Sequence, residues 1–238
     1  MAHVRLVKDY FKDGWDKLYI YASPSASPLQ QHQAVGFLEG YSTYLEIYAA
    51  YKNFAQLDFG KADAPENIQD FLMNQLSFMD YMVSSKAGSD VFWEYVGYYL
   101  AQIRYMHAGY SARIKKEGKP ELTLTFLQLY YLPSIGDLED LIQFSPEDME
   151  EGMNKNCNAY IRLDPDQLYT TQATHNRYSF LLRTYKFYSF PRNGVANQWS
   201  AFSSRPGDLI SKDDFFLLGS GLRVLETSLS NNNPENMK

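Results

Sequence analysis

The chain has 238 residues, 45% of them apolar and 21% charged, the proportions of a soluble globular protein with room for a sizeable core. Its formal charge of −6 excludes the basic face that nucleic acid demands, and a single cysteine excludes an internal disulfide framework or a multi-cysteine metal site. Aromatic residues reach 16%, with 20 Tyr and 15 Phe, which suits half-buried surfaces where a ring packs and a hydroxyl stays wet.

Along the chain, Met1 to Lys8 lacks the apolar run of a signal-peptide core, and no window approaches the ~20 apolar residues of a membrane span. No Asn-x-Ser/Thr sequon occurs. Lys17 to Ala22 reads as a strand. Pro28 to about Gln56 then carries Val35, Leu38, Tyr41, Leu45, Tyr48 and Tyr51 at helical spacing. Asn67–Val83 repeats the stripe, and so does Val91 to about Ile114, which Gly118 and Pro120 stop. Leu122–Tyr131 is a shorter apolar helix, closed by Pro133 and Gly136.

Beyond Glu150 the period changes. Ala159–Leu163 and Leu168–Ala173 read as two strands around a turn at Asp164-Pro165-Asp166. Tyr178–Tyr188 is expected to be a helix. Trp199–Ser203, Asp214–Leu218 and Leu222–Leu229 are expected strands, the last two joined by Gly219-Ser220-Gly221. The fold class that follows is α+β, a helix-rich segment over residues 1–156 leading into a mixed sheet over 157–238.

The common catalytic signatures are missing: no G-x-S-x-G elbow, no H-E-x-x-H pair and no phosphate loop. The four His are dispersed. The acid clusters Asp137/Glu139/Asp140 and Glu147/Asp148 read as solvated helix ends. A lone Cys is ordinarily a small core filler. Cys157, however, sits among Asn154, Lys155, Asn156 and Asn158, where helical periodicity gives way to strands. His175 lies just past the end of the next strand, so the hairpin offers a thiol with a polar partner. Equally, His175 reads as a turn residue beside Asn176.

The blocks Cys157-Asn-Ala-Tyr-Ile-Arg-Leu163 and Thr174-His175-Asn176-Arg-Tyr-Ser-Phe-Leu-Leu-Arg183 resemble the phospholipase B-like (laminin-ancestor-like) family. The resemblance continues in Phe202-Ser-Ser-Arg-Pro-Gly207, Asp213-Asp-Phe-Phe-Leu-Leu-Gly-Ser-Gly-Leu222 and Leu225-Glu-Thr227. Upstream it takes in Ala34-Val-Gly-Phe-Leu-Glu-Gly40 and Gly136-Asp-Leu-Glu-Asp-Leu141, in order along nearly the whole chain.

That resemblance implies an N-terminal nucleophile (Ntn) hydrolase, an αββα sandwich that cuts itself between Asn156 and Cys157. Its implied activity is hydrolysis of fatty-acyl ester or amide bonds of phospholipids, without cofactor or metal, in a lysosomal or extracellular compartment. Cys157 would be the nucleophile, and its freed α-amino group, with an ordinary pKa of ~7.7–8, the general base. His175 and Asn176 would polarise the substrate or hold the oxyanion; Asp213 and Asp214 match the family's paired acids, one of which, Asp213 foremost, would orient the amino group or His175 unless the pair is simply a strand-edge acid cluster. The chain departs from the family at Asn156 and Asn158, where members carry a small residue or His before the nucleophile and Ser or Thr after it. It departs again at Tyr178, where members usually have Trp, and at Lys212, where they have Cys. Members are also considerably longer, so the sandwich is expected to be truncated here. The rival expectations are a non-catalytic lipid- or partner-binding member, and a Cys157–His175 thiol hydrolase that acts uncut.

Overall fold

The computed structural model describes residues 2–60, 63–143, 158–173, 182–212 and 214–226. Its framework is a six-stranded sheet in the order β1-β2-β5-β6-β7-β8, beside a separate hairpin, β3-β4. The strands are β1 (Ala2–Asp9), β2 (Trp15–Ala22), β3 (Asn158–Leu163), β4 (Leu168–Ala173), β5 (Thr184–Ser189), β6 (Trp199–Ser204), β7 (Phe215–Leu218) and β8 (Arg223–Leu225). β2 and β5 run parallel; every other neighbouring pair is antiparallel. The main sheet therefore draws strands from both sides of residue 156.

The helices are α1 (Tyr10–Asp13), α2 (Pro28–Ser42), α3 (Tyr44–Phe54), α4 (Glu66–Lys86), α5 (Val91–Glu117), α6 (Phe126–Tyr130) and α7 (Ile135–Gln143). Local chemistry starts and stops them. Ser27 and Gln30 form a reciprocal capping box ahead of α2, with Pro28 at the first helical position. Asp90 caps α5 through Phe92 N at 2.9 Å, and Gly118, at φ 64°, ends it in the left-handed conformation. The stripe expected to be one helix from Pro28 to Gln56 breaks at Thr43, whose hydroxyl bonds back to Glu39 O at 2.8 Å.

α2 is the middle layer. One side lies on β1 and β2, the other on α5. Leu18, Ile20, Val35, Tyr188 and Phe202 form the core between α2 and the sheet. A larger core gathers α3 to α7 around Ile47, Phe54, Leu100, Ile103, Met106, Leu129 and Leu138. α2 and α5 touch backbone to backbone. A β-carbon on Gly36 would lie 2.0 Å from Gln102 O, on Gly40 1.9 Å from Met106 O, and on Gly109 2.0 Å from Phe37 O.

The helix expected over Tyr178–Tyr188 is corrected by β5, which holds Thr184 to Ser189 as a strand; residues 178–181 lie outside the described residues. Leu182, Tyr185 and Tyr188 happen to fall at helical spacing, but burial alternates strictly. Thr184, Lys186 and Tyr188 face α2, while Tyr185, Phe187 and Ser189 face away. The period of two wins because β5 is central, paired on both edges, to β2 and β6. β1 is an element the sequence reading did not expect, while α7 carries Asp137 in its first turn, the helix end read from that acid cluster. The Gly219-Ser220-Gly221 turn does join β7 to β8, with Gly221 at φ 90°.

His32 of α2 locks the loop after β5 onto the helical layer. Its Nδ1 donates to Gln102 Oε1 at 2.9 Å, and its Nε2 accepts from Arg192 at 3.1 Å. The ring is stacked between Phe190 at 4.2 Å and Tyr98 at 5.1 Å. Burial, with the Arg192 charge adding to it, lowers the imidazole pKa to about 4. Unfolding restores the ordinary value near 6.5, so the unfolded chain binds the proton more tightly. The stability is whole above pH ~6.5 and falls as the pH drops towards 4, by roughly 2–3 kcal/mol between pH 7 and 4.5. His32→Phe keeps the stacking and removes the titration. Urea unfolding at pH 7 and 4.5 should show the difference shrink by about that amount; an unchanged difference would clear His32 of the role.

Candidate functional site

Asn156, Cys157, His175, Asn176 and Asp213 all lie outside the described residues. The described residues that flank them converge. Asn158, next to Cys157, is the cross-strand partner of Ala173, two residues before His175, at the open end of the β3-β4 hairpin. Gln172 donates through Nε2 to Glu226 O at 2.7 Å, which ties that end of the hairpin to the edge of the main sheet beyond β8. Glu226 N in turn donates to Asp214 O at 2.8 Å. Asp214 directly follows Asp213.

Asp214 is buried, and its carboxylate is the hub. Oδ2 accepts from Ser203 Oγ of β6 at 2.6 Å and forms a close ion pair with Arg183. Arg183 leads into β5 from the segment that carries His175 and Asn176, and its carbonyl accepts from Asp16 N of β2 at 3.3 Å. A charge-assisted hydroxyl bond and a guanidinium on one carboxylate are the strong kind, and little solvent competes for them here. Three chain segments are thereby fixed around one anion, the start of β5, the end of β6 and the start of β7, and the end of β4 is tied to the same residue through Glu226 and the Asp214 carbonyl. The neighbouring Lys212 lays its stem over Gly136 of α7, where a β-carbon would meet it at 3.6 Å.

Ser203 and its cross-strand partner Tyr185 belong to the sheet face turned away from α2. That face carries a ladder of rings. His3 stacks on Tyr21 at 4.7 Å, Tyr21 meets Phe187 at 5.3 Å, Phe187 meets Trp199 at 5.5 Å, and Tyr19 meets Tyr185 at 6.3 Å. His3 is exposed and the other rings are half-buried, and the Arg5 guanidinium sits 5.9 Å above Tyr19. A hydrolytic site on this face would have apolar walls beside one fixed anion.

A second polar constellation lies on the opposite face and is closed to substrate. Lys186, fully buried, donates to Glu39 Oε1 and to Arg205 O, each at 2.7 Å, and to Asp208 O. Tyr188 donates to the other oxygen of Glu39. Burial and the Glu39 charge hold the Tyr188 phenol well above its ordinary pKa. Burial likewise raises the Asp208 carboxyl, with Arg205 and Lys186 pulling it back. These bonds clamp α2, β5 and the 205–208 turn together. Reading the sequence did not single out Lys186, Arg183 or Ser203. The available signal was a Lys at an inward position of an otherwise apolar alternation. Among the described residues no group of three His, Cys, Asp or Glu could hold a metal ion, and no helix is long and apolar enough to cross a membrane.

Comparison with known proteins gives one family. The model of the family described as Phospholipase B matches residues 2–238. Relatives include phospholipase B-like 1 of Homo sapiens, 32% identical over 91% of this chain and 41% of its own length, and that of Rattus norvegicus, 29% identical over 91% and 42%. Phospholipase B of Crotalus adamanteus is 28% identical over 91% and 42%. The chain thus spans about two fifths of the length of the relatives it matches.

Proposed function

Because the chain belongs to the phospholipase B family, we propose that it forms the nucleophile-bearing part of an Ntn acyl hydrolase. Its substrates are fatty-acyl ester or amide bonds of phospholipids. The observation that carries the reading is the convergence on Asp214 of the segments flanking Asn156-Cys157, His175-Asn176 and Asp213. The sheet supports an αββα arrangement, with α2 and α5 on one face and the ring ladder turned towards a second sheet. In that arrangement residues 1–156 supply the helical layer and the first two strands, and residues 157–238 begin with the nucleophile.

Maturation is an acyl shift. The Cys157 thiol attacks the carbonyl carbon of Asn156, the new S–C bond replaces the C–N bond, and the amide nitrogen takes the thiol proton. Water then hydrolyses the thioester and leaves Cys157 with a free α-amino group. In turnover that amine accepts the thiol proton as sulfur attacks the lipid carbonyl, and passes it to the departing oxygen or nitrogen. His175 and Asn176 hold the oxyanion, and Asp213 orients the amine. Water releases the fatty acid from the thioester. The compartment is lysosomal or extracellular. The changed flanks Asn156 and Asn158 favour the second reading, a family member that binds lipid or a partner without catalysis.

Denaturing intact-mass measurement of the purified chain at mildly acidic and neutral pH decides between them. Cleavage leaves pieces of 156 and 82 residues, about 18 and 9.5 kDa of the 27.5 kDa chain. The wild type is expected to give both, and Cys157→Ala only the intact mass. A single mass in both samples rules out self-cleavage and leaves the non-catalytic member or the uncut Cys157–His175 thiol hydrolase.

A further inference from the structure

The turn between β1 and β2 carries a side chain that the core does not use. Phe11, in the single turn of α1, is fully exposed at 102% of its reference area and meets Tyr10 edge-on at 5.5 Å. Gly14, at φ 83°, closes the turn. The charges that reach its surface balance: Lys8, Lys12 and Lys17 stand against Asp9, Asp13 and the neighbouring Glu46, Asp16 being buried beneath Tyr10 N, in a chain whose net charge is −6. Lys8 pairs with Glu46, and Lys17 with Asp13 and, at 3.5 Å, with Asp9. Beneath the turn lies an open cleft of about 370 Å³ whose apolar wall is Tyr10, Phe11, Leu45, Ala49 and Leu182, with Lys8, Asp16 and Glu46 completing its lining. Leu45 is itself 41% exposed. Leu182 at the end of the cleft immediately precedes Arg183, the partner of Asp214.

We propose that the β1-β2 turn docks the protein on a zwitterionic phospholipid surface, with Phe11 inserted among the acyl chains and the cleft behind it taking one chain. The substrate side of this inference rests on the acyl-hydrolase reading. Charge complementarity selects the surface. A turn with three charges of each sign matches phosphocholine head groups, which carry both, and aromatic rings attract the quaternary ammonium. An anionic surface would meet an acidic protein with no surplus of cations at this turn. A Phe at the tip supplies the apolar anchor and Tyr10 an amphipathic ring at head-group depth.

The test is co-sedimentation of the full chain with phosphatidylcholine vesicles and with phosphatidylglycerol vesicles. The wild type should partition onto phosphatidylcholine with little dependence on salt. Phe11→Ser should bind about tenfold more weakly, a loss of about 1.4 kcal/mol, and should melt with the wild type because the ring supports no core. Equal binding of the two chains, no binding by the wild type, or binding confined to phosphatidylglycerol would overturn the proposal. Cys157→Ala is run alongside, because docking requires no cleavage. Vesicle binding without cleavage sinks the hydrolase reading and leaves docking intact. Cleavage without vesicle binding does the reverse.

Discussion

Gly40→Ala is expected to cost about 3–5 kcal/mol and to lower Tm by roughly 10 °C. The added β-carbon would sit 1.9 Å from Met106 O, 2.8 Å from its carbonyl carbon and 2.9 Å from Tyr110 N, all of them backbone atoms of α5. A flexible side chain could swing away, but a helix backbone cannot. α2 and α5 must therefore part by more than an ångström along a contact that Gly36 and Gly109 share. Parting them also drags Glu39, one residue away, from Lys186 on the sheet. The gain in helix propensity, about 1 kcal/mol, offsets only part of this. Gly88→Ala is the matched control, because nothing lies within 4 Å of a β-carbon there. It should melt within a degree or two of the wild type, and a Gly40→Ala protein that did the same would refute the close-crossing account.

Lys186→Met should be about as damaging at neutral pH, by 3–5 kcal/mol. The substitution fills the volume but leaves the Glu39 carboxylate fully buried, with the Tyr188 hydroxyl still donating to it and its cation gone. It also strips a donor from two buried carbonyls, Arg205 O and Asp208 O. A buried orphan carboxylate relieves itself by taking a proton. The deficit of the mutant relative to wild type should thus shrink as the pH falls towards 5, the opposite of what a simple packing defect would give. In Lys186→Met/Glu39→Leu the uncompensated charge is gone, so the double mutant should be more stable than Lys186→Met alone. Urea unfolding of the four chains of this cycle at pH 7 and 5 measures the coupling. A cycle that closes additively would mean that the pair contributes packing and nothing electrostatic.

The sequence made the helical layer readable where apolar residues recur every three or four positions, as in Asn67–Val83 and Val91–Ile114. It missed β1 because Val4 and Leu6 alternate with residues that serve the outer face of an edge strand, and such a short period is easily lost beside an N-terminus. β5 was misread for a deeper reason. Its identity as a strand is conferred by β2 and β6, which lie far away in sequence, and an isolated window holds no trace of those partners. The polar constellations share that character. Glu39 and Lys186 are 147 positions apart, and neither looks special until α2 lies across β5. Arg183 and Ser203 meet on Asp214 only because β5, β6 and β7 are adjacent. Cys157, by contrast, stood out locally by its polar neighbours and its place at the change of period.

The parallel pairing of β2 with β5 has a consequence for any chain nicked before residue 158. Asp16 to Tyr21 would lie on one fragment and Thr184 to Ser189 on the other, zipped edge to edge in the interior of one sheet. The Glu39–Lys186 bolt would cross the same seam. The nick would therefore be silent in gel filtration, with both fragments travelling as a single body until denaturant separates them. Made separately, the longer fragment would carry a β1-β2 ribbon with one raw edge, and the shorter would lack the helices that roof its strands. Each fragment would be part of the other's fold, so the seam would join two pieces that cannot be exchanged for independent modules.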